Sequence, residues 1–165
     1  MSKGLTSIRF PVSLEGTHGV NIPNAVGDPF REAGHKRVRI TAYFQDKILH
    51  FHGALHYRNG DYIISFGKRY QKELGIFPSD FFELQFFEDQ SKYGVDMPEE
   101  FQAVLDSDLE GAAIFEQLTA GKKRSLIYYI TRFKTAQSRI DKSINILENL
   151  KHGIRDPKTL IRLIK

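Results

Sequence analysis

The chain has 165 residues, a formal net charge of +4 at pH 7 and no cysteine. At this length one compact domain, or one domain with a smaller appendage, is the usual arrangement. The absence of cysteine excludes a disulfide framework, a thiolate nucleophile and a zinc site with cysteine ligands. Neither a signal peptide nor an apolar run long enough to cross a bilayer is visible, so we predict a cytoplasmic protein without a membrane span.

Short strands are predicted throughout the first part of the chain, because apolar and polar residues alternate there. Six strands are expected, at residues 6–14, 20–23, 36–44, 47–57, 61–66 and 81–88. Tight turns at Gln45-Asp46 and Asn59-Gly60 predict hairpins, since Asn-Gly tolerates the positive φ of a type I′ turn. Several short strands joined by turns predict a small antiparallel or mixed β-barrel.

Two short helices are expected among these strands. Asp28-Pro29 resembles an N-cap followed by proline at the first helical position, and it predicts a helix of one or two turns. Residues 68–74 predict a second helix, which Gly75 ends.

Helical spacing replaces alternation in the rest of the chain. Pro98 opens a predicted helix to about Leu105, and Ser107-Asp-Leu-Glu110 resembles a capping box for a helix that Gly121 ends. Apolar residues then recur at three- and four-residue spacing between Leu126 and Leu147. This stripe fits one helix, or two helices that meet near Gln137, because Ser138-Arg-Ile-Asp141 resembles another capping box.

The strands and helices together predict an α+β protein. We expect a β-barrel domain at residues 1–92 and a helical region at residues 93–165. A last short helix is predicted to begin at Asp156-Pro157.

Charge is distributed unevenly in the helical region. Every charged residue between Tyr93 and Gln117 is acidic, whereas lysine and arginine predominate from Lys122 onward. These segments can be neighbouring helices whose surfaces attract each other, or the basic segment can be an anion-binding face. The residues of this candidate basic patch are Lys122, Lys123, Arg124, Arg132, Arg139 and Lys142.

Several segments of the chain resemble a known family. They are Gly19–Pro23, Lys36–Thr41, Asn59–Lys68, Leu74-Gly75, Pro98–Leu105, Ile130–Lys134 and Ser138–Lys142. The pattern resembles the bacterial YdeI/OmpD-associated family, also called bacteriocin-protection, with the N-terminal domain that usually precedes it. The resemblance implies a double-split β-barrel, similar in shape to AbrB-type transition regulators, followed by helices. It implies no activity and no catalytic residues, and its label alone suggests envelope stress or protection from antimicrobial peptides.

His50 and His52 are the candidate metal ligands, because they lie on one face of the fourth predicted strand. Two such residues are about 6.6 Å apart along a strand, so the pair can share a zinc or copper ion. His56 lies about 13 Å beyond His52 and cannot join them unless the strand bulges. The alternatives are that the histidines line the solvent side of the sheet or a partner surface.

A second candidate site consists of basic and aromatic side chains. Arg37, Arg39 and Tyr43 share one face of the third predicted strand, and Lys68 and Arg69 begin the short helix after the fifth. Basic residues interleaved with aromatic ones can follow a phosphate backbone and stack on bases. The same alternation is also what any amphipathic strand shows.

These observations favour a non-enzymatic binding protein that recognises a protein partner or an anionic ligand, and no cofactor is expected. Two alternatives stay open. One is a nucleic-acid-binding regulator with an AbrB-like barrel. The other is a metal-dependent enzyme that uses His50 and His52.

Overall fold

The structure is a computed structural model, and it describes residues 4–162. The chain forms two compact units, Met1–Gln90 and Ser91–Lys165, each with its own hydrophobic core. The first three residues of the predicted domain 1–92 and the last three of the predicted region 93–165 lie outside the described residues. The predicted boundary after Lys92 stays a prediction and falls just beyond the division between the units.

The described part of the first unit, which we call the sheet unit, contains seven strands and two helices. They are β1 Phe10–Glu15, β2 Gly19–Ile22, α1 Asn24–Glu32, β3 Arg37–Phe44, β4 Lys47–Ala54, β5 His56–Arg58, β6 Asp61–Ser65, α2 Lys68–Leu74 and β7 Phe81–Glu88. The strands pair in the order β4-β3-β7-β1-β2-β6-β5, and all these pairs are antiparallel. One face of β3 and β7 forms the core with Ile40, Ala42, Leu84 and Phe86, all of which are buried.

The sheet unit has seven strands where about six were predicted, because the fourth predicted strand is interrupted at Leu55. β4 pairs with β3, whereas β5 pairs with β6. β4 and β5 are therefore consecutive in the chain but lie at opposite ends of the pairing order. The first predicted strand is also shorter than expected, since β1 begins at Phe10 and Thr6 makes only an isolated bridge with Phe87. The barrel form stays a prediction.

Both predicted hairpins are confirmed. Gln45 has φ 54°, in a turn whose ends are the paired residues Phe44 and Lys47. Asn59 and Gly60 have φ 53° and 84°, and Arg58 pairs with Asp61 across that turn. Short-range backbone requirements thus set these two turns.

Helix α1 begins earlier than predicted. It starts at Asn24, so Pro29 lies inside the helix and Asp28 is not its N-cap. Val26 and Phe30 are buried one turn apart, which explains why the helix extends upstream of Asp28. The carboxylate of Asp28 instead accepts a hydrogen bond from the hydroxyl of Tyr62 at 2.6 Å.

The described part of the second unit, the helical unit, contains five helices. They are α3 Glu99–Ser107, α4 Leu109–Glu116, α5 Ala120–Thr131, α6 Ala136–Lys151 and α7 Pro157–Leu160. Leu126, Ile127 and Ile130 of α5 belong to one buried cluster with Ile146 and Leu147 of α6. No helix within residues 4–162 combines the length and apolar character needed to cross a bilayer.

The apolar stripe between Leu126 and Leu147 is two helices, which is one of the two predicted alternatives. The break lies before the predicted position, because Thr135 is the N-cap of α6 and accepts a hydrogen bond from the amide of Ser138. Asp108, not Ser107, caps α4. Gly121 does not end a helix as predicted but lies in the first turn of α5.

Candidate functional site

One face of the sheet carries four of the residues that the sequence singled out, namely Arg39, Tyr43, His50 and His52. The β3–β4 register places Tyr43 opposite Ile48, Thr41 opposite His50 and Arg39 opposite His52. On its other side β3 pairs with β7, which adds Glu83, Gln85 and Phe87 to the same face. We define the polar sheet face as Arg39, Thr41, Tyr43, Ile48, His50, His52, Glu83, Gln85 and Phe87.

The candidate metal ligands His50 and His52 lie on this face but contact different groups. His50 Nδ1 is 3.0 Å from Thr41 Oγ1, and His52 Nδ1 is 3.0 Å from Asp89 Oδ2. The side chains of His52 and Asp89 are only 7% and 5% exposed. Among the described residues no group of three or more histidines, cysteines or carboxylates is placed to hold a metal ion. A metal site at the histidine pair stays a prediction.

Basic and aromatic side chains contact each other on the polar sheet face. The guanidinium of Arg9 lies 3.7 Å from the ring centroid of Tyr43 and forms an ion pair with Glu83 at 2.9 Å. The hydroxyl of Tyr43 donates to Gln85 at 3.1 Å. Arg39 lies 4.6 Å from the ring centroid of Phe87. The aromatic surfaces that could stack on a base are therefore already covered in part by cations of the same chain.

The remaining residues of the predicted anion or nucleic-acid site are spread over different elements. Arg37 lies at the first position of β3, opposite Ala54. Lys68 and Arg69 begin α2 and are exposed, and Arg69 forms an ion pair with Glu73 one turn later at 3.3 Å. The role of this set stays a prediction.

Ion pairs join the acidic and basic segments of the helical unit. Arg139 contacts Glu100 at 2.6 Å, Lys151 contacts Asp108 at 2.8 Å and Lys123 contacts Glu116 at 3.5 Å. The hydrogen bond from Arg139 lowers the pKa of Glu100. The hydrogen bond from Lys151, followed by the one from the Gly111 amide, lowers the pKa of Asp108. Attraction between neighbouring helices is thus the arrangement that the structure shows for these residues.

Several cations of the predicted basic patch already contact other groups of the helical unit. Arg139 is only partly exposed and also donates to the carbonyl of Phe133 at 2.7 Å. Arg132 and Lys142 lie 5.7 Å and 5.5 Å from the ring centroids of Tyr129 and Phe133. The other members, Lys122, Lys123 and Arg124, lie in the first half of α5, and Lys123 pairs with Glu116. Anion binding by this patch stays a prediction.

Sequence reasoning missed an exposed corner of the helical unit. Leu109, the first residue of α4, is 79% exposed, and the exposed carboxylates of Asp106 and Glu110 lie close to it in the chain. We define these three residues as the α3–α4 corner. The sequence did not indicate this corner, because the capping-box pattern assigned Leu109 and Glu110 to the start of a helix.

Sequence reasoning also missed a pocket at the break between β4 and β5. We define this junction pocket by its lining residues Arg31, Gly34, His35, Lys36, Leu55, Tyr57 and Tyr62, which enclose about 230 Å³. Arg31 lies 3.9 Å from the ring centroid of Tyr57, and the rings of Tyr57 and Tyr62 are 4.7 Å apart. Burial, and then the hydrogen bond to Asp28, raises the pKa of Tyr62 to about 12.

The fold defines an α+β protein in which a unit with a seven-stranded antiparallel sheet precedes a helical unit. Residues 94–153 match the family described as "Bacteriocin-protection, YdeI or OmpD-Associated". The resemblance predicted for the helical region is therefore confirmed over that segment. The chain has no significant match among curated proteins or solved structures.

Proposed function

We propose that this protein is a non-enzymatic, cytoplasmic binding protein that contributes to protection from bacteriocins and cationic antimicrobial peptides. The observation that carries the proposal is the match of residues 94–153 to the bacteriocin-protection family. The helical unit that contains this segment is the part of the chain to which we assign peptide binding.

The α3–α4 corner has the chemistry that suits such a peptide. Amphipathic antimicrobial peptides present lysine and arginine on one face and apolar side chains on the other. Leu109 is 79% exposed and can pack against an apolar side chain of the peptide. Asp106 and Glu110, which are exposed near it, can pair with the peptide's cations.

Within residues 4–162 the charge of Asp106 and Glu110 is not neutralised by cations of the protein. Glu100, Asp108 and Glu116 each form an ion pair within the helical unit. Asp106 and Glu110 form none with the described residues, although Gln102 donates a hydrogen bond to Asp106 at 2.8 Å. These two carboxylates therefore remain available to an external cation.

Asp108 holds the corner in a defined shape. Its side chain accepts a hydrogen bond from the amide of Gly111 at 3.0 Å and contacts the ammonium of Lys151 at 2.8 Å. These contacts fix the turn from α3 into α4, so little conformational entropy is lost there when a peptide binds.

The proposal is tested by fluorescence anisotropy with a labelled amphipathic helical peptide of lysine and leucine. We expect the full-length chain to bind this peptide. The triple variant Asp106→Asn/Leu109→Ser/Glu110→Gln should bind it about tenfold more weakly. Each exposed ion pair contributes little by itself, but the loss of both pairs adds to the loss of the apolar contact at Leu109. Asp141→Asn is the matched control. Asp141 is also exposed and also accepts from a glutamine one turn earlier, Gln137, at 2.9 Å.

Survival of bacteria that express the chain provides the second test. Cells with the wild-type chain or Asp141→Asn should survive a cationic peptide better than cells with an empty vector, and cells with the triple variant should lose that advantage. Equal binding and equal survival for the triple variant and the wild type would show that the corner is not the site. Unchanged survival with the wild-type chain would refute the protective function.

A further inference from the structure

The junction pocket lies between the connection from α1 to β3 and the break between β4 and β5. Arg31, Gly34, His35 and Lys36 line one side, whereas Leu55 and Tyr57 line the other. The amide of Leu55 donates to the carbonyl of Lys36 at 2.9 Å, which holds the two sides together. The pocket is therefore a fixed feature of the sheet unit and does not depend on the helical unit.

Arg31 is positioned by its contact with an aromatic ring, not by an acidic partner. Its guanidinium lies 3.9 Å from the ring centroid of Tyr57, a contact that leaves the N–H groups at its edge able to donate. Arg31 forms no ion pair or side-chain hydrogen bond with the part of the chain that the structure describes. A guanidinium of this kind is suited to binding a carboxylate with two parallel hydrogen bonds.

Lys36 adds a second cation at the same rim. Its side chain is exposed and has no carboxylate partner within residues 4–162. No carboxylate is among the lining residues of the pocket; of those nearby, Asp28 accepts from Tyr62 at 2.6 Å and Glu88 contacts His35 at 2.9 Å. The rim thus has an excess of positive charge.

The floor of the pocket is aromatic and apolar. Tyr57 and Tyr62 lie opposite each other in the β5–β6 pair, with ring centroids 4.7 Å apart. Tyr62 is only 1% exposed and its hydroxyl donates to Asp28, so its ring packs against Tyr57, while Tyr57 and Leu55 provide the accessible apolar surface. The volume of about 230 Å³ exceeds the roughly 150 Å³ of a cavity that accepts benzene, so one substituted or fused aromatic ring fits.

We propose that the junction pocket binds small planar aromatic carboxylates, with the ring against Leu55 and the exposed part of Tyr57 and the carboxylate on Arg31 and Lys36. The two cations favour a negatively charged ligand, and the aromatic floor favours a planar one. This inference is independent of peptide protection, because it concerns the sheet unit and a different ligand.

Titration with indole carboxylate tests the proposal, and its uncharged isostere indole carboxamide tests the role of charge. The chain contains no tryptophan, so indole fluorescence reports the ligand alone. We expect the carboxylate to bind the full-length protein with a dissociation constant on the order of 0.1 mM, and the carboxamide to bind about tenfold more weakly. Arg31→Gln should weaken binding of the carboxylate about tenfold, and Lys36→Gln should do so severalfold.

Arg58→Gln is the matched control, since Arg58 is an exposed cation next to Tyr57 in β5 that does not line the pocket. It should bind like the wild type. Circular dichroism establishes that each variant is folded, and perturbation of the Tyr57 ring resonances by the carboxylate places the ligand in the pocket. Equal affinity for carboxylate and carboxamide, unchanged affinity in Arg31→Gln, or no binding up to about 2 mM would overturn the proposal.

Discussion

Gly27 is a position at which the sheet unit tolerates no side chain. A Cβ at this residue would lie 2.5 Å from ring atoms of Tyr62, and Tyr62 is held in place by its 2.6 Å hydrogen bond to Asp28. In α1 an alanine would otherwise be favoured over glycine by about 1 kcal/mol. We expect Gly27→Ala instead to destabilise the sheet unit by about 1–2 kcal/mol, because overpacking costs more than the gain in helix propensity. Urea denaturation followed by circular dichroism measures this difference.

Gly121 is the matched control for that substitution. It also lies in a helix, α5, but a Cβ there would meet no atom within 4 Å. Gly121→Ala should therefore stabilise its unit by about 0.5–1 kcal/mol. A Gly27→Ala protein as stable as the wild type would mean that Tyr62 can move away from α1.

At the scale of elements, Asn149 connects α7 and the residues that follow it, up to Arg162, to α6. It is buried, and its side-chain amide donates to the carbonyls of Leu160 and Arg162, at 2.7 Å in each case. We expect Asn149→Ala to cost about 1–3 kcal/mol, because the buried carbonyl of Leu160 loses this donor while the carbonyl of Arg162 keeps only the one from Asn145. Amide hydrogen exchange should then show α7 losing protection before α6 does.

Asn145 provides the comparison for Asn149. It donates a single hydrogen bond to the carbonyl of Arg162 at 3.0 Å in a more exposed place. Asn145→Ala should cost less than about 1 kcal/mol and leave α7 protected, since water can replace the lost donor. Equal protection of α7 in the two variants would show that apolar contacts, not Asn149, hold the last helix.

Local chemistry predicted the elements whose geometry depends on a few neighbouring residues. The turns at Gln45-Asp46 and Asn59-Gly60 need positive φ, and the end of α2 needs the left-handed conformation of Gly75, so the residue types alone indicate them. The start of α1 was missed, because the carboxylate of Asp28 contacts Tyr62, a residue distant in sequence. The sequence placed the break between α5 and α6 near Gln137, slightly too late, since two similar capping patterns begin three residues apart, at Thr135 and at Ser138.

The candidate sites show the same limit. Alternation correctly placed His50 and His52 on one face, but nothing in the sequence indicated that their ring nitrogens would contact Thr41 and Asp89. The junction pocket combines three separate parts of the chain and depends on the break at Leu55. Periodicity identifies which residues share a face, but it does not identify which connections lie beside that face.

At the scale of the whole molecule, ion pairs make stability depend on pH. In the helical unit hydrogen bonds from Arg139 and Lys151 lower the pKa values of Glu100 and Asp108. A carboxylate whose folded pKa is lowered stabilises the fold fully above its unfolded pKa, and this stabilisation is lost as pH falls through the folded pKa. The unfolded values are about 3.9 for aspartate and about 4.3 for glutamate. We therefore expect the Tm to change little between about pH 7 and pH 5 and to fall increasingly below about pH 4.5.

Asp108→Asn isolates one of these pairs. Asparagine still caps α4, so the helix start is preserved while the charge that faces Lys151 is removed. The variant should have a lower Tm than the wild type at pH 7, and the difference should shrink in acid as the wild-type Asp108 becomes protonated. Because its folded pKa is lowered, the two Tm values should converge only below the ordinary pKa of aspartate. Equal Tm values at pH 7 would show that Asp108 stabilises the helical unit through its cap alone, and a difference that stayed constant from neutral to acid pH would show that the lost stability does not come from the charge facing Lys151.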